Sequence, residues 1–488
     1  MNSTATRGYF RRNVGLSVVA SLLSAVSLFA VFRIAGEVVG FEWLGAWSLI
    51  QGMMLIARIA DSGAAANITR EVARRYRTAG RAPILRIGLA ASIIASLPAS
   101  ILAGIIAVPV GLFMTEMYGG ALNVSSLHTL ILLAVVAAVL SSFASVLLAV
   151  VEGAFLLNAK SRVIIVANII ATCVGVPLLW PIGPAAIGLV YVLMAGAQLV
   201  GALTVLIRES ARRRFRDTIR IRDHIRALWR ENAQLSLVAI IRLTFEPLTK
   251  VLLSLVAPLP AIASFELALR VSTQIRVTVQ AAMQPLVALG ARRPGEADEA
   301  AQRTFRKSHN LIAPASLILA LAQFLAAPAI SLAGLGGLDE DFVMFFILLA
   351  IGGSLNIAGL SGYTFQLTSG AIAPLLAIQA SMAAVNGGAG AVGVMITSPP
   401  TVVGAYALAF AIGGFACRLL LPVPLSAVEI GLVWLAPIAG GAAIYTAIRA
   451  ALSGGLAEGP IVVVGCVAAL ALVAAATHSL WKARRKDE

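Results

Sequence analysis

Apolar segments long enough to cross a bilayer follow one another along almost the whole chain. A transmembrane helix needs about 20 consecutive apolar residues, and about fourteen segments meet that length. No long polar stretch between them leaves room for a soluble domain. Since every backbone polar group in lipid must be satisfied within its own helix, the pattern predicts an all-α polytopic membrane protein. The predicted spans are 13–34, 43–66, 87–112, 128–157, 161–180, 184–206, 232–256, 263–290, 309–334, 341–369, 372–397, 400–421, 429–450 and 460–481.

Composition agrees with this fold class and excludes several others. Charged residues make up 12% of the chain, against about 25% in soluble domains. The net charge of +15 does not indicate nucleic-acid binding, because no aromatic residues alternate with the basic runs. The three cysteines, Cys173, Cys417 and Cys466, lie in apolar segments and fit small buried side chains better than a disulfide or metal site. The first apolar segment is too long for a cleaved signal peptide.

Basic residues fall on one side of the predicted topology. If the N-terminus is cytoplasmic, the inside loop 67–86 holds six arginines and the loop 207–231 holds nine, whereas the outside loops hold no lysine or arginine. This distribution follows the positive-inside rule. It predicts an even number of spans, with both termini on the cytoplasmic side of the membrane.

The longest basic loop divides the chain into two parts. We predict an N-terminal six-helix bundle over 1–206, a cytoplasmic linker over 207–231, a C-terminal six-helix bundle over 232–421, and two additional helices with a basic cytoplasmic tail over 422–488. Isoleucine and leucine recur at helical spacing among the arginines of the linker. An amphipathic helix on the membrane surface and a solvated basic linker explain that pattern equally well.

The two parts begin alike, which indicates an internal repeat. Asn13 and Asn232 each open a span with a similar short sequence, and the pairs Phe41-Glu42 and Phe265-Glu266 follow at equivalent topological positions. Parallel repeats of this kind place a substrate site between the halves, near the midplane of the membrane.

Ionisable residues inside the spans are the main pointers to function, since charges in lipid are costly and usually face a cavity or a partner. They predict a water-filled, net cationic cavity suited to an anionic substrate. The basic candidates are Arg58, Arg242, Lys250, Arg270 and Arg276, and the acidic ones, expected as counter-charges or ion-coupling sites, are Asp61, Glu246 and Glu266. The alternative is that Arg58–Asp61, Arg242–Glu246 and Glu266–Arg270 are intrahelical pairs that neutralise each other. Lys250 and Arg276 favour the cavity.

Signals of catalysis are missing from the sequence. No lysine follows a glycine, so the chain has no P-loop for a nucleotide. The four histidines are dispersed, and the outside loops are too short for a catalytic domain. We therefore expect neither an enzyme nor a cofactor.

The chain resembles Wzx-type polysaccharide and O-antigen flippases of the multidrug/oligosaccharidyl-lipid/polysaccharide (MOP) exporter superfamily. The stretches that carry the resemblance are Asn13-Val14-Gly15-Leu16-Ser17 continuing to Arg33, Trp43-Leu44-Gly45-Ala46-Trp47-Ser48 continuing to Arg74, and Phe265-Glu266-Leu267-Ala268-Leu269-Arg270-Val271 with Pro285-Leu286. The family usually has Leu-Gly where this chain has Asp61-Ser62-Gly63, so Asp61 is a departure from its pattern.

The resemblance implies two six-helix bundles with alternating access, followed by two extra helices. It implies movement of an undecaprenyl-diphosphate-linked oligosaccharide from the inner to the outer leaflet of the bacterial inner membrane, for lipopolysaccharide or exopolysaccharide synthesis. By the resemblance, the five basic candidates would contact the diphosphate and acidic sugars, an assignment that rests on their placement in the spans. The implied partners are this lipid-linked substrate, membrane lipids, and a polysaccharide polymerase or glycosyltransferase.

Three rival functions stay open. A MurJ-like lipid II flippase shares the span count and moves a diphosphate-linked glycolipid. A MATE-like drug antiporter needs an acidic cavity, whereas the intramembrane charges here are mainly basic. A membrane polysaccharide polymerase or ligase usually carries a large outside loop with catalytic residues, which this sequence lacks.

Overall fold

Helices account for nearly all of the chain that is described by the structure, a computed structural model. It describes residues 20, 23–57, 84–212, 233–290, 299–369 and 372–453, with isolated positions over 65–72 and 460–468. The helices are α1 (23–38), α2 (Phe41–Leu55), α3 (Ile84–Tyr118), α4 (Val124–Gly153), α5 (Leu157–Ile182), α6 (Ala185–Arg212), α7 (Ala233–Ser254), α8 (Leu259–Gly290), α9 (Glu299–Leu335), α10 (Glu340–Ala358), α11 (Leu360–Ser369), α12 (Ile372–Met395), α13 (Pro399–Leu419) and α14 (Ala427–Ser453).

The predicted fold class is confirmed: the protein is an all-α, multi-pass membrane protein. Each of the first thirteen predicted spans overlaps at least one described helix, and parts of the first two, 13–34 and 43–66, lie outside the described residues. The fourteenth, 460–481, and most of the linker 207–231 lie outside the described residues. The described part of the chain contains nine helices that are long and apolar enough to cross a membrane. The nine do not include α7 and α8, helices of 22 and 32 residues, because both carry several charged side chains.

At least three of the predicted spans are not regular helices, among them 429–450, where a π-helical turn covers Ile430–Leu435. In α5 a π-helical turn over Ala171–Gly175 leads into a 3₁₀ turn over Val176–Leu178. The proline at position 177 explains this irregularity, because proline lacks the N–H that a regular helix needs. Such π-helical turns are also frequent at functional sites. The predicted span 341–369 breaks at Gly359, which separates α10 from α11.

The chain forms two compact units, Met1–Pro247 and Leu248–Glu488. In the first unit, α4 packs against α3 and α6, and a cluster of buried aliphatic side chains joins these helices. In the second unit, α13 packs along α10 and α12, and α8 and α9 pack on α10. The domain boundaries predicted from the sequence stay a prediction.

Glycines let α10 and α11 pack at backbone distance against α13. A Cβ atom added at Gly352 would lie 2.5 Å from the carbonyl oxygen of Ala407. Cβ atoms at Gly359 and at Gly362 would collide with the carbonyls of Gly414 and Cys417. Small residues at such interfaces are how membrane helices gain van der Waals contact when lipid offers no hydrophobic driving force. This glycine seam fixes α13 beside the two helices.

Candidate functional site

The candidate residues are distributed over both units. Arg58 and Asp61 lie outside the described residues. Arg242 and Glu246 lie on α7 in the first unit, where Arg242 is exposed and Glu246 is half-buried. The other four, Lys250, Glu266, Arg270 and Arg276, lie on α7 and α8 within the second unit.

Glu266 of α8 is paired with two cations in the second unit. Its Oε2 lies 2.5 Å from Lys250 Nζ of α7, and its Oε1 accepts a 2.7 Å hydrogen bond from Arg270 Nε. The Lys250 and Glu266 side chains are 0% and 2% exposed, whereas Arg270 is 35% exposed. The expected intrahelical pair Glu266–Arg270 is therefore present, and Lys250 joins it from the neighbouring helix. Sequence spacing within α7 offered only Glu246 as a partner for Lys250 and could not have revealed this contact.

A neutral hydrogen bond lies next to Lys250 on α7. The Thr249 hydroxyl donates to Asn386 Oδ1 of α12 over 3.1 Å, and both side chains are buried. This interhelical bond joins α7 to α12.

Arg276 lies two turns further along α8 and meets an aromatic surface. Its guanidinium carbon is 4.6 Å from the ring centroid of Phe410, which is stacked on Tyr406 with centroids 4.7 Å apart. Cations at this distance from a ring face are attracted by its quadrupole. Arg276 lines a small pocket together with Ser272, Thr273 and these two rings. The aromatic residues of α13 were not among the sequence candidates, since no spacing in α8 points to them.

A second buried ion cluster was missed by the sequence reasoning. Arg418, at the end of α13, donates to both carboxylate oxygens of Glu429 of α14, over 2.6 and 2.7 Å, and to the carbonyls of Val423 and Pro424. His309 Nε2 of α9 lies 3.1 Å from the same Glu429. The available signal was an arginine in an apolar span, followed eleven positions later by a glutamate at the start of the next span. Its geometry is that of a structural clamp between three helices.

The described residues contain no group of three or more His, Cys, Asp or Glu side chains that could hold a metal ion. The charged side chains of this part of α7 and α8 are mainly basic. Three cations and one carboxylate lie on these helices between residues 248 and 290, which leaves an excess of positive charge.

Solved membrane transporters have this arrangement of helices. The lipid II flippase MurJ in an inward closed conformation matches with a TM-score of 0.60 at 11% identity, covering 95% of this chain and 98% of that one. A multidrug resistance MATE family transporter of the MOP superfamily, in an inward-facing conformation, matches with a TM-score of 0.58 at 15% identity, covering 83% and 96%. The chain has the fold of MOP-superfamily transporters.

A third MOP-fold structure comes from Pyrococcus furiosus, and its binding pocket has a reversed polarity that suggests a different function. It matches with a TM-score of 0.52 at 14% identity, covering 83% of this chain and 91% of that one. No protein-family model and no curated protein matches the sequence.

Proposed function

We propose that this MOP-fold protein is a flippase that moves an undecaprenyl-diphosphate-linked oligosaccharide from the cytoplasmic to the outer leaflet. The observation that carries the proposal is the excess of positive charge on α7 and α8. Between residues 248 and 290 these helices carry Lys250, Arg270 and Arg276 but one carboxylate, Glu266, which contacts Lys250 and Arg270. A transporter of cationic drugs would need the opposite balance.

The fold supports transport and the charges support an anionic cargo. Arginine presents a planar fork of donors that matches phosphate oxygens, and it keeps its charge when it is partly removed from water. Arg270, with a third of its side chain accessible, is the residue of this group best placed to meet a diphosphate. Alternating access through a cationic cavity, with Arg58 and Arg242 as further contacts, belongs to the same proposal.

The test uses cells whose only copy of the gene encodes Arg270→Ala or Arg276→Ala, with membrane levels matched to the wild type. We expect loss of surface polysaccharide together with accumulation of lipid-linked repeat units on the cytoplasmic side. Arg449→Ala is the matched control, because Arg449 pairs with Glu340 at an exposed site away from the candidate residues. Unchanged polysaccharide in both test variants would contradict the residue assignment.

The second candidate function is lipid II transport, and the match to MurJ over 95% of this chain favours it. Lipid II also carries a diphosphate, so the same cations would serve. Depletion of the protein separates the two functions. Accumulation of lipid II with cell lysis indicates the MurJ-like role, whereas loss of surface polysaccharide in cells with a normal wall indicates the proposed one.

A further inference from the structure

Glu266 holds its two cations through different oxygens. Oε2 contacts Lys250 and Oε1 accepts from Arg270. Arg270 can therefore leave Oε1 while the carboxylate keeps its contact with Lys250. A buried carboxylate that loses every cation is strongly destabilised, but one that keeps an ammonium at 2.5 Å is not.

Accessibility differs sharply across this group of three. Lys250 and Glu266 are buried, whereas Arg270 is 35% exposed. Gln274 and Thr278 follow Arg270 at intervals of four residues on α8, and they are half-buried and exposed respectively. Accessible polar side chains in a membrane helix usually face water or a polar partner rather than lipid. An anion can thus approach Arg270 from its accessible side, but it cannot reach Lys250 without a rearrangement.

The Arg418–Glu429 pair shows what a purely structural ion pair looks like in this unit. Arg418 is 1% exposed, and its donors are taken up by both oxygens of Glu429 and by two backbone carbonyls. Arg270 instead combines a bond to Glu266 with an accessible side. Stability alone does not require that exposure.

We propose that Glu266 is an internal competitor for the anionic cargo: it occupies Arg270 while the site is empty, and the diphosphate displaces it. This inference rests on the proposed function. Lys250 is then a positioning residue rather than a ligand, since it retains the Glu266 carboxylate when Arg270 turns to the cargo. The Glu266–Lys250 contact sets how readily Arg270 is released.

The proposal predicts opposite changes in diphosphate affinity when Glu266 is removed and when Lys250 is removed. Without the carboxylate, in Glu266→Gln, Arg270 is available and a diphosphate should bind roughly tenfold more tightly, as expected for the loss of one close competing charge. Without the ammonium, in Lys250→Met, Glu266 holds Arg270 more strongly, and binding should weaken by about tenfold. Lys250→Arg, which keeps the cation, should retain more of the affinity than Lys250→Met does.

The experiment measures the affinity of the purified full-length protein in lipid nanodiscs for undecaprenyl diphosphate, with neutral undecaprenol as the comparison ligand. The variants are Glu266→Gln, Lys250→Met, the double variant of both, and Glu266→Gln combined with Arg270→Gln. We expect the double variant of Glu266 and Lys250 to bind the diphosphate more tightly than the wild type. Adding Arg270→Gln should abolish the gain. Undecaprenol binding should not change in any variant.

Each outcome decides between the proposals. If the wild type binds the diphosphate but Glu266→Gln binds it no more tightly, the competitor role is wrong and the flippase proposal stands. If neither binds the diphosphate better than undecaprenol, both proposals are overturned. If Glu266→Gln does not fold, the double variant with Lys250→Met carries the same prediction, because it removes both charges of the buried pair together. A ligand role for Lys250 would instead leave the double variant weaker than the wild type.

Discussion

The clamp between α9, α13 and α14 gives the sharpest prediction on stability. In Arg418→Met the side chain keeps its length and apolar stem but loses the guanidinium. The bonds to Glu429, Val423 and Pro424 are then lost, and the Glu429 carboxylate is left near His309 in a largely apolar setting.

The size of the effect follows from burial. Arg418 and Glu429 are 1% and 13% exposed, so solvent screens their interaction little. Removing one partner of such a pair costs about 3–5 kcal/mol, mainly because the remaining charge stays buried. For units of this size about 1 kcal/mol corresponds to roughly 2–4 °C in melting temperature. We therefore expect the apparent Tm of the second unit to fall by roughly 6 °C or more.

Cys417, the residue before Arg418, can report the unfolding of α13. Cys417 is a buried free cysteine, whereas Cys173 is exposed. In a background with Cys173→Ser and Cys466→Ser, a thiol-reactive fluorophore reports the unfolding of α13 through Cys417 alone. Heating the purified protein in detergent then gives an apparent Tm for each variant.

Two further variants make the result interpretable. The double variant Arg418→Met with Glu429→Leu removes both charges, and replacing a buried ion pair by apolar residues is often neutral; it should recover most of the lost stability. Arg449→Met breaks the pair with Glu340, whose side chains are 68% and 52% exposed, and should change the Tm by less than about 2 °C. A Tm for Arg418→Met as close to the wild type as that of Arg449→Met would refute the reasoning.

Two more predictions concern packing in the second unit, and the same thiol assay checks both. Gly414→Ala pushes a methyl group into the carbonyl of Leu355 and should destabilise the unit by about 1–3 kcal/mol. Gly404→Ala on the same helix, where a Cβ meets no atom within 4 Å, should have little effect. Equal shifts in apparent Tm for the two variants would contradict the glycine seam. Asn386→Leu removes the buried hydrogen bond from Thr249 to Asn386 and should cost about 0.5–2 kcal/mol. Adding Thr249→Val should regain most of this loss, and no recovery in the double variant would count against that bond.

Hydrophobic length located the spans but not the ends of the helices. The predicted span 309–334 is part of α9, which begins at Glu299, because a helix can continue beyond the lipid with polar residues that hydropathy ignores. The break at Gly359 was missed for a related reason, since the apolar run continues through it. Apolar length measures the thickness of lipid to be crossed, whereas helix ends depend on caps, glycines and neighbouring helices.

For the charged candidates, the sequence predicted contacts within one helix but not contacts between helices. Spacing in α8 was enough to place Glu266 and Arg270 on one face, and the structure has that contact. It could not show that Lys250 lies against Glu266, because contacts between helices depend on how two faces are rotated toward each other. The Arg276–Phe410 contact was hidden for the same reason.

The Lys250–Glu266 contact also bears on how the chain enters the membrane. The two residues are separated only by the end of α7, a short turn and the first residues of α8, so they can meet within one helical hairpin during synthesis. A charge at the centre of a single inserting helix costs about 2.5–3.5 kcal/mol, and neither α7 nor α8 is apolar enough to be counted among the nine clear spans. If the hairpin inserts as one piece, Lys250 and Glu266 enter the bilayer already paired, and neither charge crosses it alone. The ion pair then already acts during insertion of the chain, and α7 and α8 should partition into lipid together or not at all.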